Sequence, residues 1–154
     1  RPLSERVITA LVARGIAVAP IVLHAGVSSL EAGERPGPEW FRVPDATARL
    51  VEATRDGAGR VVAVGTTVVR ALESVVAADG RVAAGEGWTR LVVTPERGVR
   101  AVDGLLTGWH EPESSHLDLL RAVGGPELVE RSYEAALERG YLWHEFGDVH
   151  LILP

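Results

Sequence analysis

The sequence predicts an α/β protein: a mixed, mainly parallel sheet flanked by helices, in a single domain spanning residues 1–154. Three observations carry this. Short β-branched apolar runs alternate with helical patterns, the order that builds a sheet covered by helices. The chain is 46% hydrophobic but only 5% aromatic, so aliphatic packing must fill the core. Gly, Pro and capping residues mark nearly every boundary, with no internal repeat, low-complexity segment or linker between them. At 154 residues the chain is long enough for one core.

In order, Ser4 caps a helix running to about Arg14, with Val7, Ile8, Leu11 and Val12 as its apolar stripe and Gly15 as its stop. Ile16 to Ala25 is apolar on both sides and reads as a central strand. Gly26 to Pro38 is a loop, and Trp40 to Val43 a short strand. Asp45 caps the next helix, which buries Leu50 and Val51 and leaves through Gly57 and Gly59. Arg60 to Gly65 reads as a second buried strand; Thr66 and Thr67 make the turn into a helix from about Val68 to Ala78, and Asp79-Gly80 is a turn. Arg90 to Thr94 reads as a strand, and Arg97 to Thr107 as glycine turns with short strands. Ser114 opens a helix that ends before Gly124-Gly125, Pro126 opens the last helix, which Gly140 ends, and Val149 to Leu153 is a closing strand.

Composition excludes several classes. No apolar run approaches the roughly 20 residues of a membrane helix. The opening Arg1-Pro2-Leu3-Ser4 leads into a helical pattern and not a signal peptide. The absence of Cys removes disulfides and thiolate metal sites, which fits a cytoplasmic protein. All 16 basic residues are Arg, and the net charge of −5 has the wrong sign for a dedicated nucleic-acid-binding domain. An RNA partner would have to be held by a local Arg cluster or by regions outside this chain.

Four segments carry chemistry. In Val61–Arg70 a strand delivers Gly65-Thr66-Thr67 to a helix start, placing N–H groups, two hydroxyls and a positive dipole end together, with Arg70 one turn on and Glu73 and Ser74 beyond. This suits a carboxylate or a ribose; the plain alternative is a threonine cap and a solvated Arg. His24, ending an apolar run, sits where α/β sheets bind ligands and can act as base or hydrogen-bond donor, or else is a satisfied histidine. Asp103 to Ser115 crowds Asp103, Thr107, His110, Glu111, Glu113, Ser114 and Ser115 near a helix start, either an acid/base site or a capping segment. Tyr141 to His150 contains His144, Asp148 and His150; their spacing matches no zinc motif, and a pocket-closing loop is the better reading. Glu127 to Arg139 is an ordinary solvated helix face.

Taken in order, these blocks resemble one family. The blocks are Val22–Gly26, Val43-Pro44, Arg60–Ser74, Val102–Thr107, then His110, Pro112–Ser114 and Leu117, and finally Tyr133, Ala135-Ala136, Tyr141 and Gly147-Asp148. Ala63–Ser74 and Asp103–Ser114 are the most specific. The chain resembles the C-terminal part of the S-adenosylmethionine:tRNA ribosyltransferase-isomerase family (QueA), along nearly its whole length. The resemblance implies part of that family's catalytic domain. The implied activity is transfer and isomerisation of the ribosyl group of S-adenosylmethionine onto the aminomethyl group of preQ1 in tRNA. Adenine and methionine leave, and epoxyqueuosine forms. S-adenosylmethionine is then a co-substrate, no metal is implied, and the partner is a tRNA carrying preQ1.

Carried over position by position, the resemblance assigns His24, His110, Glu73 and Asp103 to catalysis: His24 or His110 as base, Glu73 and Asp103 as orienting groups. It assigns Gly26, Gly65, Thr66, Thr67, Arg70, Thr107, Glu113, Ser114, Tyr141 and Asp148 to substrate binding. Gly65 to Thr67 would cradle the donor and Arg70 would meet a carboxylate or phosphate. Four departures fall at this implied site. The family's Val-Gly-Ala-Gly-Thr-Phe after the His reads Ala25–Leu30, and the stretch before Trp40 is short and lacks a usual His. Thr-Asn-Phe-His-Leu-Pro reads Thr107-Gly108-Trp109-His110-Glu111-Pro112, and Phe-Ser-Tyr-Gly-Asp-Ala-Met becomes the stretch Trp143–His150. They keep open a diverged or non-catalytic homologue that binds a nucleoside or a partner protein. A generic nucleotide-binding domain ranks last, since neither G-x-G-x-x-G nor a Walker A sequence is present.

Overall fold

A computed structural model of the chain describes residues 3–24, 37–110 and 116–154. The elements run α1 (Glu5–Ala13), β1 (Val22–His24), β2 (Glu39–Val43), α2 (Asp45–Asp56), β3 (Val62–Val64) and α3 (Thr66–Ser74). They continue as β4 (Gly85–Thr89), β5 (Gly104–Gly108), α4 (His116–Gly124), α5 (Pro126–Glu138), a 3-10 turn (His144–Phe146) and β6 (Val149–Ile152). The class is α/β as predicted, but the strands form two three-stranded sheets, β1-β2-β4 and β3-β5-β6. Among the described residues β1/β2, β2/β4 and β5/β6 pair antiparallel and β3/β5 parallel, so one sheet is antiparallel and the other mixed, and neither is mainly parallel.

Local chemistry explains most boundaries. Ser4 caps α1 by accepting the Val7 N–H, and the chain leaves the helix through Gly15. Asp45 sits one residue inside α2, after Pro44, where it pairs with Arg49. α2 buries Val51, but Leu50 faces out. Pro126 and the residues after it hold α5 against α4, with Leu117, Leu120, Val123, Val129 and Tyr133 buried between helices and sheet.

Three strand expectations are corrected. Of the run expected as a central strand from Ile16 to Ala25, the described residues up to His24 pair only at Val22–His24, at the edge of their sheet, and Ile16, Val18 and Val22 are exposed. Pro20 has no N–H to give a ladder, and its carbonyl accepts instead from Thr47 Oγ1 at 2.6 Å. β3 is buried on one face only, with Ala63 inside and Val62 and Val64 outside, and it too is an edge strand. Arg90–Thr94 is irregular; the strand lies earlier, at Gly85–Thr89, where it pairs antiparallel with all five residues of β2. Pairing with a distant strand overrides the weak β-propensity of Gly85 and Gly87.

The β3-β5-β6 sheet turns Ala63, Leu105, Thr107, His150 and Ile152 toward the core. Thr107 stands directly opposite His150 across the β5/β6 ladder. This register brings the end of β5 and the start of β6 together, and the candidate site forms there.

Candidate functional site at the carboxyl edge of the parallel strand pair

β3 and β5 run parallel, so Gly65-Thr66-Thr67 and Thr107–His110 emerge at the same edge. The Gly65 N–H donates to the Leu106 carbonyl at 2.8 Å, locking the two exits together. Gly65 holds φ +103, a backbone conformation that L side chains rarely adopt. It occupies the cap position of α3 without a capping side chain, so the first-turn N–H groups of Thr66 and Thr67 point to the site unpaired by a cap. Ligands in α/β folds sit at this edge.

One turn further, Arg70 is buried and its fork is engaged. Nε donates to the Leu91 carbonyl at 2.9 Å, one terminal nitrogen meets the Glu39 carboxylate, and the other donates to the Gly37 carbonyl at 3.0 Å. Thr67 Oγ1 also donates to Glu39, at 3.4 Å. Glu39 therefore joins the first strand sheet to α3, and nothing in the sequence pattern had marked it. Beside it, Trp40 pairs with His24 across the β1/β2 ladder, their rings 4.9 Å apart. His24 is exposed at the end of β1.

Glu73 has a side chain with 0% exposure. Its carboxylate accepts from Arg97 at 2.8 Å and from the Arg100 and Ala101 N–H groups at 2.6 and 2.7 Å, so every interaction it makes orders the 97–101 turn. Asp103 accepts the Val61 N–H at 2.8 Å. It lies before β5, four residues from Thr107, roughly 13 Å along an extended strand, at the opposite edge of the sheet. The fold thus separates Glu73 and Asp103 from the cradle that the sequence grouped them with.

His110 sits where those two do not. Thr107 Oγ1 lies 3.3 Å from its Nε2, and Tyr133 donates its hydroxyl to the His110 carbonyl at 2.9 Å. The His116 ring stacks on it with centroids 4.2 Å apart and planes 6° from parallel; the His144 ring is 5.0 Å away. Burial, then the neighbouring His116 and His144, push the His110 pKa down to about 4, so it is uncharged at neutral pH. His116 is also lowered, by burial first and then by His144 and Arg70, which places the Arg70 charge within reach of this cluster. Burial raises the Tyr133 hydroxyl to about 12, so it remains a donor.

Behind the imidazoles lies an aromatic floor. Trp109 stacks on His150 with centroids 4.1 Å apart and planes 4° from parallel, and meets Tyr133 and Tyr141 edge-on. Burial takes His150 down to about 4. Trp109 Nε1 and His150 Nδ1 are both buried without a partner. Asp148 accepts the Leu142 N–H at 2.5 Å, and its carbonyl accepts the Trp109 N–H at 3.2 Å, so it ties the 141–148 loop to the end of β5. Gly108 makes this approach feasible: a Cβ there would lie 2.5 Å from the His144 Cβ. Two of the departures noted in the sequence are thereby linked in space, Gly108 with His144 and Trp109 with His150.

Gly26, Glu113 and Ser114 lie outside the described residues, as does the altered loop after His24. Among the described residues, no group of three His, Asp or Glu side chains is placed to hold a metal ion. The stacked rings of His110 and His116 aim their nitrogens in parallel planes and not at a common point. Neither Glu39 nor His116 is marked by the sequence, since a lone Glu in a strand and a lone His opening a helix carry no spacing signal.

Fold and site together define an α/β protein that gathers neutral hydrogen-bonding groups at the carboxyl edge of a parallel strand pair. Residues 1–152 match the family described as queuosine biosynthesis protein, and the chain belongs to that family. It is 41% identical over 150 residues to the S-adenosylmethionine:tRNA ribosyltransferase-isomerase of Symbiobacterium thermophilum, covering 93% of this chain and 44% of that protein. It is 40% identical over 158 residues to the enzyme of the same name from Gloeobacter violaceus, covering 98% and 45%. The crystal structure of S-adenosylmethionine tRNA ribosyltransferase from Thermotoga maritima matches with a TM-score of 0.81 and 35% identity, over 97% of this chain and 50% of that one. The chain thus spans less than half the length of these two curated relatives.

Proposed function

We propose that residues 1–154 are one domain forming the C-terminal part of an S-adenosylmethionine:tRNA ribosyltransferase-isomerase, acting on preQ1 in tRNA to give epoxyqueuosine. The observation that carries this is the convergence of Gly65-Thr66-Thr67 and Thr107–His110 at one strand edge, in a chain of this family. The reaction needs a base beside the sulfonium centre, a polar cradle for ribose and methionine carboxylate, and an acid for adenine.

The Thr66 and Thr67 N–H groups and hydroxyls suit the cradle. His110 is uncharged near neutrality and oriented by Thr107, which suits a proton acceptor and not the acid; His24 is the second candidate base. Arg70 reaches a ligand anion only by giving up Glu39, so its role in this reading is to hold Glu39 at the cradle wall. Glu73 and Asp103 act at a distance, by fixing the 97–101 turn and the β3/β5 pair. Tyr141 and Asp148 shape the loop over the aromatic floor, and Gly26, Glu113 and Ser114 complete the binding set. With a net charge of −5, tRNA contact falls to a local Arg cluster or to the part of the family's length outside this chain. The work is cytoplasmic.

The test is mass spectrometry of adenine and methionine release. The longest form of the protein that its gene encodes is incubated with S-adenosylmethionine and an anticodon stem-loop carrying preQ1. RNA-dependent adenine release with a matching mass gain on the RNA is the expected result. A second reading, a diverged or non-catalytic homologue binding a nucleoside or partner protein, rests on the linked changes at Gly108, Trp109, His144 and His150. A folded protein that releases no adenine would favour it.

A further inference from the structure

Three imidazoles share the mouth of the site, and only His110 has been given a role. His116 reaches it from the first residue of α4, and His144 from the 3-10 turn before β6. Two separate elements thus bring a ring onto His110, and the one from the 3-10 turn comes from 34 residues along the chain. His116 lies flat on His110 at 4.2 Å, and His144 is held over it by its own Nδ1, 3.2 Å from the Trp109 carbonyl. The His144 approach further depends on Gly108, where any side chain would collide with it.

Rings packed this closely and half-buried cannot all be charged. Two imidazolium ions at such a separation repel strongly where water is scarce, and interacting sites of this kind titrate as a group. We propose that His116 and His144 are positioning residues for His110: the three rings form one unit that accepts a single proton, and the unit presents His110 uncharged to its ligand. This rests on the reading of His110 as a working group of the site.

The surrounding charges leave the unit intact. Arg70 on α3 bears on His116 and disfavours its charged form. On α5, Tyr133 is a neutral phenol bonded to the His110 carbonyl, with Arg121 of α4 beyond it. Glu145 lies 3.4 Å from His144 Nε2, at the solvent side of the unit. His150 is stacked on Trp109. Asp148 is engaged by the Leu142 N–H. Glu111 and Glu113 lie outside the described residues.

The test is an NMR titration of the histidine ring resonances from pH 8 to 4.5, in the parent protein and in His116→Gln, His144→Gln and the double variant. In the parent, the His110 resonance stays on its neutral plateau through pH 5. In the double variant, His110 carries at least about threefold more charge at pH 5, equivalent to half a pH unit in its midpoint. His144→Gln, at a more exposed ring, keeps the test open if the buried His116→Gln variant does not fold. Superimposable His110 curves in folded variants would overturn the proposal, as would a parent His110 titrating near 6.5. Loss of the proposed activity is separable: a protein that releases no adenine at any pH still yields these curves. An effect through structure alone would change amide spectra without moving the His110 midpoint.

Discussion

His150→Leu isolates one buried charge equilibrium. The ring is 7% exposed, stacked on Trp109, with Nδ1 buried and unpartnered. Burial, as its only resolved cause, lowers its folded pKa from 6.5 to about 4. Between those values the unfolded chain binds the proton and the folded chain does not, so stability rises with pH through this window. The contribution is complete above 6.5 and is lost as pH falls through 4. Its full size is about 3 kcal/mol, with about 1 kcal/mol lost by pH 5.5 and most of the remainder by pH 4.5. Leu removes the titrating group together with an unsatisfied nitrogen, and gives up the ring stack, so at pH 7.5 the variant stays within about 2 kcal/mol of the parent. Urea unfolding at pH 7.5, 6.5, 5.5 and 4.5 measures both. The variant should lose less stability on acidification, by those amounts. His110 adds its own acid sensitivity to both proteins and cancels in the difference. Equal pH slopes in parent and variant would refute the reasoning.

Glu73→Ala strands the Arg97 guanidinium and two backbone N–H groups, and should lower stability by about 3–5 kcal/mol, seen as a large fall in Tm. Arg70→Met and Glu39→Met should each destabilise, with the double variant losing less than the sum; a double-mutant cycle by urea unfolding should give a coupling of at least about 1 kcal/mol. Gly108→Ala places a methyl against His144 and should displace the 143–147 turn, destabilising by about 1–3 kcal/mol and changing the ring resonances of His144 and His110 together.

The sequence by itself determined the α/β class, the helix starts at Ser4 and Pro126, and the Gly65-Thr66-Thr67 exit from a strand. It also carried the blocks that resemble the family. Each of these is local: a cap, a fixed φ, a dihedral only glycine tolerates, or an ordered string of residues. Tertiary structure alone decided which apolar runs became strands. Ile16 to Ile21 and Arg90 to Val93 are as β-prone as the strands that did form, but among the described residues they have no strand partner, and Gly85–Thr89 has one in β2. It also sorted the candidate residues. Asp103 and Thr107 are neighbours in the chain yet stand at opposite edges of the sheet, because a strand carries its ends apart. Glu39 and Arg70 meet only because α3 packs against β2, and His110 and His144 only because the 141–148 loop returns to the end of β5. Spacing along a chain encodes a helix face or a strand face; it does not encode a contact made across three elements.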